Sequence, residues 1–459
     1  MTTMRRRTFL GWAAATFTSQ TQGAAARPLR SRPNIVFLFS DEHRWQSMSC
    51  SEMPELHTPN MARLAAEGTM FTHCISNLPV CSPYRGMLMT GRWPHQQGVT
   101  DNGIPLDSQQ VTIGKAFKSA GYRTGYIGKW HLGGVRAEPF GFDESLIWTE
   151  DNTHWDTARY HPREGEPIRP KGYNARLMTD QAMEFIGEKD HRPFFLMVSW
   201  NPPHSDFLDA PDEKKVLYPP GSLPWRANVP ESVRRGGEMK ENAIWSKSTW
   251  PYCQGYHAHI SAIDDEIGRV LACLEERGLD GETLVIYTSD HGSMMGSHGL
   301  GGKRQPYDES LRVPFFIRWP GVAPKKRIVR SLFGAPDIMP TLCGLAGLSI
   351  PDSCTGRDLS RSILSGHDPD SEPQLIMHIS KAHASGGENH PAPLFRGLRT
   401  ERYTYAVRED GPWLLFDNRT DPFQLANRID DPALAETRKK LHVEMIKRLR
   451  KAGDPFVSK

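Results

Sequence analysis

Continuous hydrophobic runs alternate with amphipathic segments through most of the chain. The runs are rich in β-branched and aromatic residues, which favours buried strands, and the segments between them carry apolar residues at helical spacing. The predicted strands span 34–40, 194–200, 283–289 and 313–319, and the predicted helices span 59–67, 112–120 and 252–277. This alternation is typical of an α/β fold with a large, mostly parallel sheet sandwiched by helices. Ligands of such a sheet gather at the carboxyl ends of its strands.

The C-terminal part of the chain has a different pattern, with short strand-like pieces separated by turns and then one charged helix. The predicted strands span 374–379, 394–400, 403–408 and 413–416, and the predicted helix spans 432–450. This order predicts a small antiparallel sheet packed under one helix. We therefore expect a large domain at 31–369 and a C-terminal α+β subdomain at 370–459.

The first 26 residues are typical of an export signal peptide. A basic cluster at Arg5–Arg7 precedes an apolar stretch at 9–17, and the small residues Ala24–Ala26 end the segment. The sequence Arg6-Arg7-Thr8-Phe9-Leu10 resembles the twin-arginine motif, which implies export of the folded protein by the twin-arginine machinery. We expect a signal peptide at 1–26 and a periplasmic or extracellular protein. The alternative is a disordered basic tail.

Composition excludes several classes of protein. The chain has 56 basic and 53 acidic residues, and the signal segment contains three arginines and no acids, so the mature chain is formally neutral and nothing favours nucleic acid as a partner. No apolar run approaches the ~20 residues of a membrane helix, so we expect no stable membrane insertion. Seven cysteines are too few for a disulfide scaffold and include no C-x-x-C pair for zinc, which leaves one cysteine for chemistry to explain.

Two of the predicted strands end in potential metal ligands. Asp41 and Glu42 follow the strand at 34–40, and Asp290 and His291 follow the strand at 283–289. Oxygen ligands with one imidazole suit calcium or magnesium better than zinc. Either pair alone would serve equally well as a strand-end cap.

A cysteine opens the most informative motif of the chain, Cys-Ser-Pro-Tyr-Arg-Gly-Met-Leu-Met-Thr-Gly-Arg at 81–92. Its apolar spacing predicts a helix that begins at Cys81, where backbone N–H groups favour developing negative charge. Arg85 stands one helical turn later, on the same face. The motif resembles the signature of the formylglycine-dependent sulfatases of the alkaline-phosphatase-like superfamily. The resemblance implies that a formylglycine-generating enzyme or an anaerobic sulfatase-maturing enzyme oxidises Cys81 to formylglycine.

Three further segments resemble this family, in the family's order between Asn34 and about Gly321. They are Gly-Lys-Trp-His-Leu-Gly at 128–133, Pro-His at 203–204 and the loop at 299–304. The resemblance implies catalytic roles for Cys81, Arg85, Lys129, His131, His204 and Lys303, and one calcium ion held by Asp41, Glu42, Cys81, Asp290 and His291. The sequence departs from the family at Glu42, where a second aspartate is commonest, and at His291, where asparagine is frequent.

The implied activity is hydrolysis of a sulfate ester by a formylglycine diol. His204, assisted by Lys303, would protonate the leaving alcohol, and His131 would take the proton of the second diol oxygen. His257 and His259 cannot share a helix face, so we assign them to packing or surface. Tryptophans at 148, 155, 225, 245 and 250 could stack on sugar rings or merely pack long loops.

The expected substrate is therefore a sulfated small molecule or carbohydrate. Two alternatives remain open: a phosphonate or phosphate ester hydrolase of the same fold, and a non-catalytic carbohydrate-binding homologue whose cysteine stays unmodified.

Overall fold

The computed structural model describes residues 32–149, 152–156, 159–235, 250–379 and 393–458. The expected signal peptide at 1–26 lies outside these residues. The strands are β1 (Asn34–Ser40), β2 (Thr69–Phe71), β3 (Cys74–Ile75), β4 (Arg123–Lys129), β5 (Glu144–Thr149), β6 (Arg159–Pro162), β7 (Phe194–Ser199), β8 (Thr283–Ser289), β9 (Arg312–Val313), β10 (Phe315–Arg318), β11 (Arg327–Val329), β12 (Phe333–Gly334), β13 (Gln374–His378), β14 (Phe395–Arg399), β15 (Tyr403–Arg408) and β16 (Gly411–Asp417).

The helices are α1 (Pro59–Glu67), α2 (Cys81–Thr90), α3 (Pro94–Gln97), α4 (Ile113–Ser119), α5 (Asn174–Gly187), α6 (Asp212–Lys215), α7 (Glu231–Arg234), α8 (Trp250–Glu276), α9 (Asp308–Leu311), α10 (Ala335–Leu345), α11 (Ser360–Ser365) and α12 (Ala435–Ala452). Within the described ranges, no helix combines the length and the apolar character that a membrane span requires.

The main sheet has nine strands in the order β11-β2-β10-β8-β1-β7-β4-β5-β6. Its centre, from β8 to β5, is parallel throughout, whereas β10 and β6 run antiparallel to their neighbours β8 and β5. Every residue of β1, β4, β7 and β8 is buried, as expected for continuous apolar strands covered on both faces. The predicted mostly parallel α/β sheet is confirmed.

Helices cover both faces of this sheet. Alternate residues of β1 point to opposite sides, so that Phe37 joins one hydrophobic core and Leu38 the other. On the Phe37 side, α2 packs against α10 and α4, and on the Leu38 side the long helix α8 packs against α5 and α1. Cys81, as the first residue of α2, therefore enters the site from one defined face of the sheet.

The C-terminal region forms the predicted antiparallel sheet with one helix. Its four strands are ordered β13-β14-β15-β16, and α12 packs on β13, β14 and β15. Leu441, Met445 and Leu449 are the large buried apolar residues of α12, at helical spacing. A separate small sheet, β12-β3-β9, belongs to the large α/β part.

The structure differs from the sequence-based prediction at several strands, and β10 and β4 show the physical reasons. The expected strand at 313–319 is interrupted after Val313 and continues as β10, because Pro314 lacks the N–H that a sheet ladder needs. Strand β4 was not predicted, since two glycines and charged ends interrupt its apolar pattern. Gly128 is required there: with φ +107°, a Cβ would lie 2.1 Å from the carbonyl oxygen of Ser199 on β7.

Candidate active site

The floor of the site lies where β1 and β8 end side by side. Ser40 is in register with Ser289, so the residues that follow them, Asp41 and Asp290, leave the sheet together. Both carboxylates are fully buried. The next residue after each aspartate is held at the same edge of the sheet. Asp290 Oδ1 accepts hydrogen bonds from the backbone N–H groups of Glu42 (3.1 Å) and His291 (2.9 Å). The strand-end rule therefore correctly brings the two pairs together.

Cys81 meets this floor from the start of α2. Its Sγ lies 3.2 Å from Nε2 of His291, 3.6 Å from Oδ1 of Asp41 and 3.3 Å from Nζ of Lys303. Potential ligand atoms of Asp41, Cys81, Asp290 and His291 all lie within 4.8 Å of one another. Four of the five expected ligands thus form one cluster that a metal ion can occupy.

Charges of both signs are concentrated in this cluster. Burial and Asp41 oppose ionisation of Cys81, yet the cations Lys303, His291 and Lys129 outweigh them and hold the pKa of the thiol well below its usual range. Burial and Asp41 raise the pKa of Asp290 to about 6. Burial disfavours the charged imidazole of His291, but Asp290 prevails and raises its pKa to about 9.

Arg85 lies beneath the carboxylates and is fully buried. Its Nη2 donates to Oδ2 of Asp41 (3.2 Å) and Oδ2 of Asp290 (3.1 Å), and its Nη1 donates to the carbonyl oxygen of Lys129 and the hydroxyl of Ser199. The expected placement one turn from Cys81 is found. The guanidinium, however, holds the two acids in position and faces them rather than open space.

Glu42 points to a different part of the site from Asp290. Its Oε2 accepts a hydrogen bond from Lys303 Nζ (3.2 Å) and lies 3.6 Å from Nε2 of His204. Burial raises the pKa of this carboxyl, although Lys303 opposes the shift. Its Oε1 is buried and has no hydrogen-bond partner among the residues that the structure describes. Asp41, Glu42 and His204 form a second group with potential ligand atoms within 4.8 Å. Glu42 therefore adjoins both the cation cluster and His204.

The remaining expected residues surround the opening. Lys129, the last residue of β4, places Nζ 2.6 Å from Oδ2 of Asp41. His131 adopts φ +55°, and its imidazole lies beside Cys81. His204 follows β7, and burial together with Lys129 and Lys303 lowers its pKa well below the usual value. The residues for which the sequence predicts catalytic or metal-binding roles thus lie close together.

Sequence reasoning missed Asn201. It follows β7 by one residue beyond Trp200, is fully buried, and accepts a hydrogen bond from Lys129 Nζ (3.2 Å) through Oδ1. The strand-end rule that found Asp41 would also have found it, because β7 is the neighbour of β1. His257 and His259, assigned to packing or surface, are both buried.

Of the tryptophans that could stack on sugars or pack loops, one is buried and another is partly exposed. Trp148 is buried with its ring 5.8 Å from Lys129 Nζ, and Trp155 is 36% exposed. Trp225 and Trp250 pack edge to face with ring centroids 6.1 Å apart, and Trp245 lies outside the described residues.

Comparisons with known proteins agree with this geometry. Residues 33–348 match the Sulfatase family model, and residues 296–451 match the model of the C-terminal region of N-sulphoglucosamine sulphohydrolase. The ulvan-active sulfatase of Formosa agariphila is 33% identical over 445 residues, which cover 94% of this chain and 83% of that protein.

Solved structures show the same fold. A Bacteroides thetaiotaomicron protein, described with the metabolism of multiple glycosaminoglycans, superposes with a TM-score of 0.82 at 29% identity and covers 93% of this chain and 98% of its own. The phosphonate monoester hydrolase of Agrobacterium radiobacter superposes with a TM-score of 0.75 at 24% identity, over 93% of this chain and 97% of that chain.

Proposed function

The chain belongs to the sulfatase family, and on that premise we propose that it hydrolyses sulfate esters of a carbohydrate. The nucleophile is formylglycine made by oxidation of Cys81, and one calcium ion assists it. The observation that carries this proposal is the position of Cys81 Sγ, at a helix start and within 3.6 Å of Asp41, His291 and Lys303.

The residues present fit a hard divalent cation. Asp41 and Asp290 supply carboxylate oxygens, His291 supplies one nitrogen, and oxidation of Cys81 exchanges its soft sulfur for oxygen. Glu42 is a further candidate because no described residue forms a hydrogen bond with its buried Oε1. A calcium ion held there would supply positive charge to the sulfate oxygens and to the nucleophile.

The side chains of the chain itself can carry out the proton transfers. The hydrated aldehyde at position 81 attacks sulfur through one hydroxyl, and the alcohol departs. Asp41, whose Oδ1 lies 3.6 Å from the Sγ of residue 81, would accept the proton of the attacking hydroxyl. His131, beside residue 81, would take the proton of the second hydroxyl, so that the aldehyde re-forms and sulfate leaves. An unmodified cysteine or serine has no second hydroxyl and would remain sulfated.

His204 and Lys303 are suited to protonate the leaving alcohol. Both face Oε2 of Glu42, at 3.6 Å and 3.2 Å, and burial together with the neighbouring lysines lowers the pKa of His204. An anionic sulfate ester between them would offset the lysine charges and favour the protonated imidazole. Lys303 also reaches residue 81 and therefore lies between nucleophile and leaving group.

A sulfated carbohydrate is supported by the relatives and by a partly exposed tryptophan. The relatives named above act on ulvan or belong to glycosaminoglycan metabolism. Trp155 offers a partly exposed ring, and sugars stack on such surfaces. The experiment is a panel of sulfated mono- and oligosaccharides assayed for released sulfate. We expect at least one sugar to be hydrolysed with a higher kcat/KM than a simple aryl sulfate, and sulfate release from none of them would contradict the proposal.

A phosphonate or phosphate ester hydrolase is the second candidate, since a cation-lined site also suits phosphorus and the fold is shared with a phosphonate monoester hydrolase. Matched sulfate and phosphate esters of the same alcohol distinguish the two. We expect a kcat/KM higher for the sulfate.

Export in the folded state is proposed from the twin-arginine motif. Cys81 is 1% exposed in the folded chain, so its oxidation has to precede folding, and folding precedes twin-arginine export. Replacing Arg6 and Arg7 by Lys should therefore retain an active, aldehyde-bearing enzyme inside the cell. A retained protein with an unmodified thiol, beside exported wild type carrying the aldehyde, would reverse this order.

A further inference from the structure

Behind Lys129 lies a buried polar chain that the proposed reaction does not use. Lys129 Nζ donates to Oδ1 of Asn201 (3.2 Å), and Nδ2 of Asn201 lies 3.1 Å from Nε2 of His154. Nδ1 of His154 in turn lies 2.6 Å from Oδ1 of Asp209. Asn201 and His154 are fully buried. A continuous set of hydrogen bonds therefore connects Asp209 with the ammonium group above Asp41.

Asp209 determines which group donates and which accepts in each of these hydrogen bonds. Its Oδ2 accepts the backbone N–H of His154 (2.9 Å), a donor that cannot reverse, and its Oδ1 faces ring nitrogens of His154 and His259. Burial opposes ionisation, but the hydrogen bonds from the two histidines outweigh it and lower the pKa of Asp209. The carboxylate therefore fixes the proton of His154 on Nδ1 and leaves Nε2 as an acceptor.

This tautomer decides which way Asn201 faces. Nε2 of His154 accepts from the amide NH₂, so the amide oxygen is turned toward Lys129. We propose that Asp209, His154 and Asn201 are positioning residues that hold the Lys129 ammonium over the sulfate-binding site. The inference rests on the proposed function and adds to it that the Lys129 ammonium, 2.6 Å from Asp41, faces the bound sulfate group.

His154, His259 and Asp209 are also residues of the kinds that bind metal ions, and their potential ligand atoms lie within 4.8 Å of one another. Their ring nitrogens, however, already have partners. His154 uses Asp209 and Asn201, and His259 uses the hydroxyl of Tyr173 (2.7 Å) and the carbonyl of Asp206 (3.2 Å). The hydrogen bonds from Asp209 through His154 and Asn201 to Lys129, here called the relay, together with the partners of His259 therefore explain this cluster without a metal ion.

Asp209→Asn tests the relay while keeping the shape of the side chain. The backbone N–H of His154 can only donate, so it selects the amide oxygen of the substituted side chain. The amide NH₂ of that side chain then faces Nδ1 of His154, and the imidazole proton moves to Nε2. Asn201 must then turn its own NH₂ toward Lys129. We expect kcat/KM on the sulfated substrate to fall about 10- to 100-fold, and inhibition by inorganic sulfate to weaken about tenfold, with little change in the melting temperature.

His259→Gln is the matched control, because His259 is equally buried and faces the same carboxylate oxygen but does not touch Asn201. Its kinetic constants should stay within about twofold of wild type. Asn201→Ala should reproduce the loss, and adding Asp209→Asn to it should change kcat/KM by less than about twofold. If Asp209→Asn folds poorly, Asn201→Ala alone still tests the proposal.

Three results would overturn the relay in an enzyme that releases sulfate normally as wild type: Asn201→Ala with unchanged kinetics, equal losses in Asp209→Asn and His259→Gln, or a stoichiometric zinc ion that Asp209→Asn loses. Absence of sulfate release in the wild type would instead contradict the proposed function.

Discussion

The floor and the rim of the site are built in different ways. The floor, defined by Asp41, Asp290, Cys81 and Arg85, stands at the ends of two adjacent parallel strands and in one helix, and its side chains contact one another directly. The rim, defined by His131, His204 and Lys303, stands on loops outside the regular elements. Regular backbone hydrogen bonding fixes the floor, whereas side chains from distant segments fix the rim.

This contrast is clearest beside Lys303. The next residue, Arg304, has φ +71° and is held by Asp101 (2.7 Å) and by His378 of β13 in the C-terminal sheet (2.9 Å). Changes in the floor should therefore remove the chemistry altogether, and changes in the rim or its supports should reduce it by degrees.

The largest effect is expected for Cys81→Ala. Turnover should be abolished while the fold persists, because alanine is tolerated at a helix start but gives no diol. Sulfate release and thermal unfolding measure the two consequences. Cys81→Ser should also be inactive in a host whose maturing enzyme accepts only cysteine. Normal turnover in Cys81→Ala would refute the assignment of the nucleophile.

Loss of one floor carboxylate comes next. Asp41→Ala or Asp290→Ala should lower kcat by several powers of ten, since several kcal/mol of charge stabilisation disappear with the cation. Glu42→Gln should have a milder effect, because Glu42 also faces Lys303 and His204. Chelation followed by calcium addition gives an independent measurement, and a rate that chelation leaves unchanged would show that these acids are only strand-end caps.

For the rim, His204→Ala and Lys303→Ala should each reduce kcat about 10²- to 10⁴-fold on a sugar sulfate. The reduction should be much smaller on an aryl sulfate with an acidic phenol, which departs without a proton. Kinetics of each variant on both substrates make the comparison. Equal losses on the two would place these residues in sulfate binding instead of leaving-group protonation.

The smallest effect concerns His378, which supports the rim from the C-terminal sheet. Burial and the neighbouring Arg304 lower its pKa from 6.5 to about 4, so unfolding takes up a proton between these values. The contribution of the neutral His378 to the free energy of unfolding is fully present above pH 6.5. It is lost as pH falls from there through about 4, at about 1.4 kcal/mol per pH unit. Urea unfolding of His378→Gln should therefore depend less steeply on pH than wild type across this window. Parallel pH profiles would show that His378 does not titrate in this way.

The same contrast explains what the sequence could predict. Asp41 and Asp290 follow continuous apolar strands, and Cys81 opens a helical run, so the pattern predicts where these residues stand in the fold. That they share one site was implied only by the family resemblance. The guanidinium of Arg85 was placed on the correct face, but its bonds to the carboxylates depend on strand register. Asp209, His154, Asp101 and His378 lie in no motif, because their roles arise from long-range side-chain contacts that periodicity does not encode.

The most direct test of the central claim is the intact mass of the peptide that contains Cys81, measured on enzyme whose sulfate release has been quantified. The account predicts a peptide lighter than the thiol form, as expected for the aldehyde, in a fraction that rises in proportion to specific activity across preparations. Full sulfatase activity in a preparation whose Cys81 peptide has only the thiol mass would contradict it.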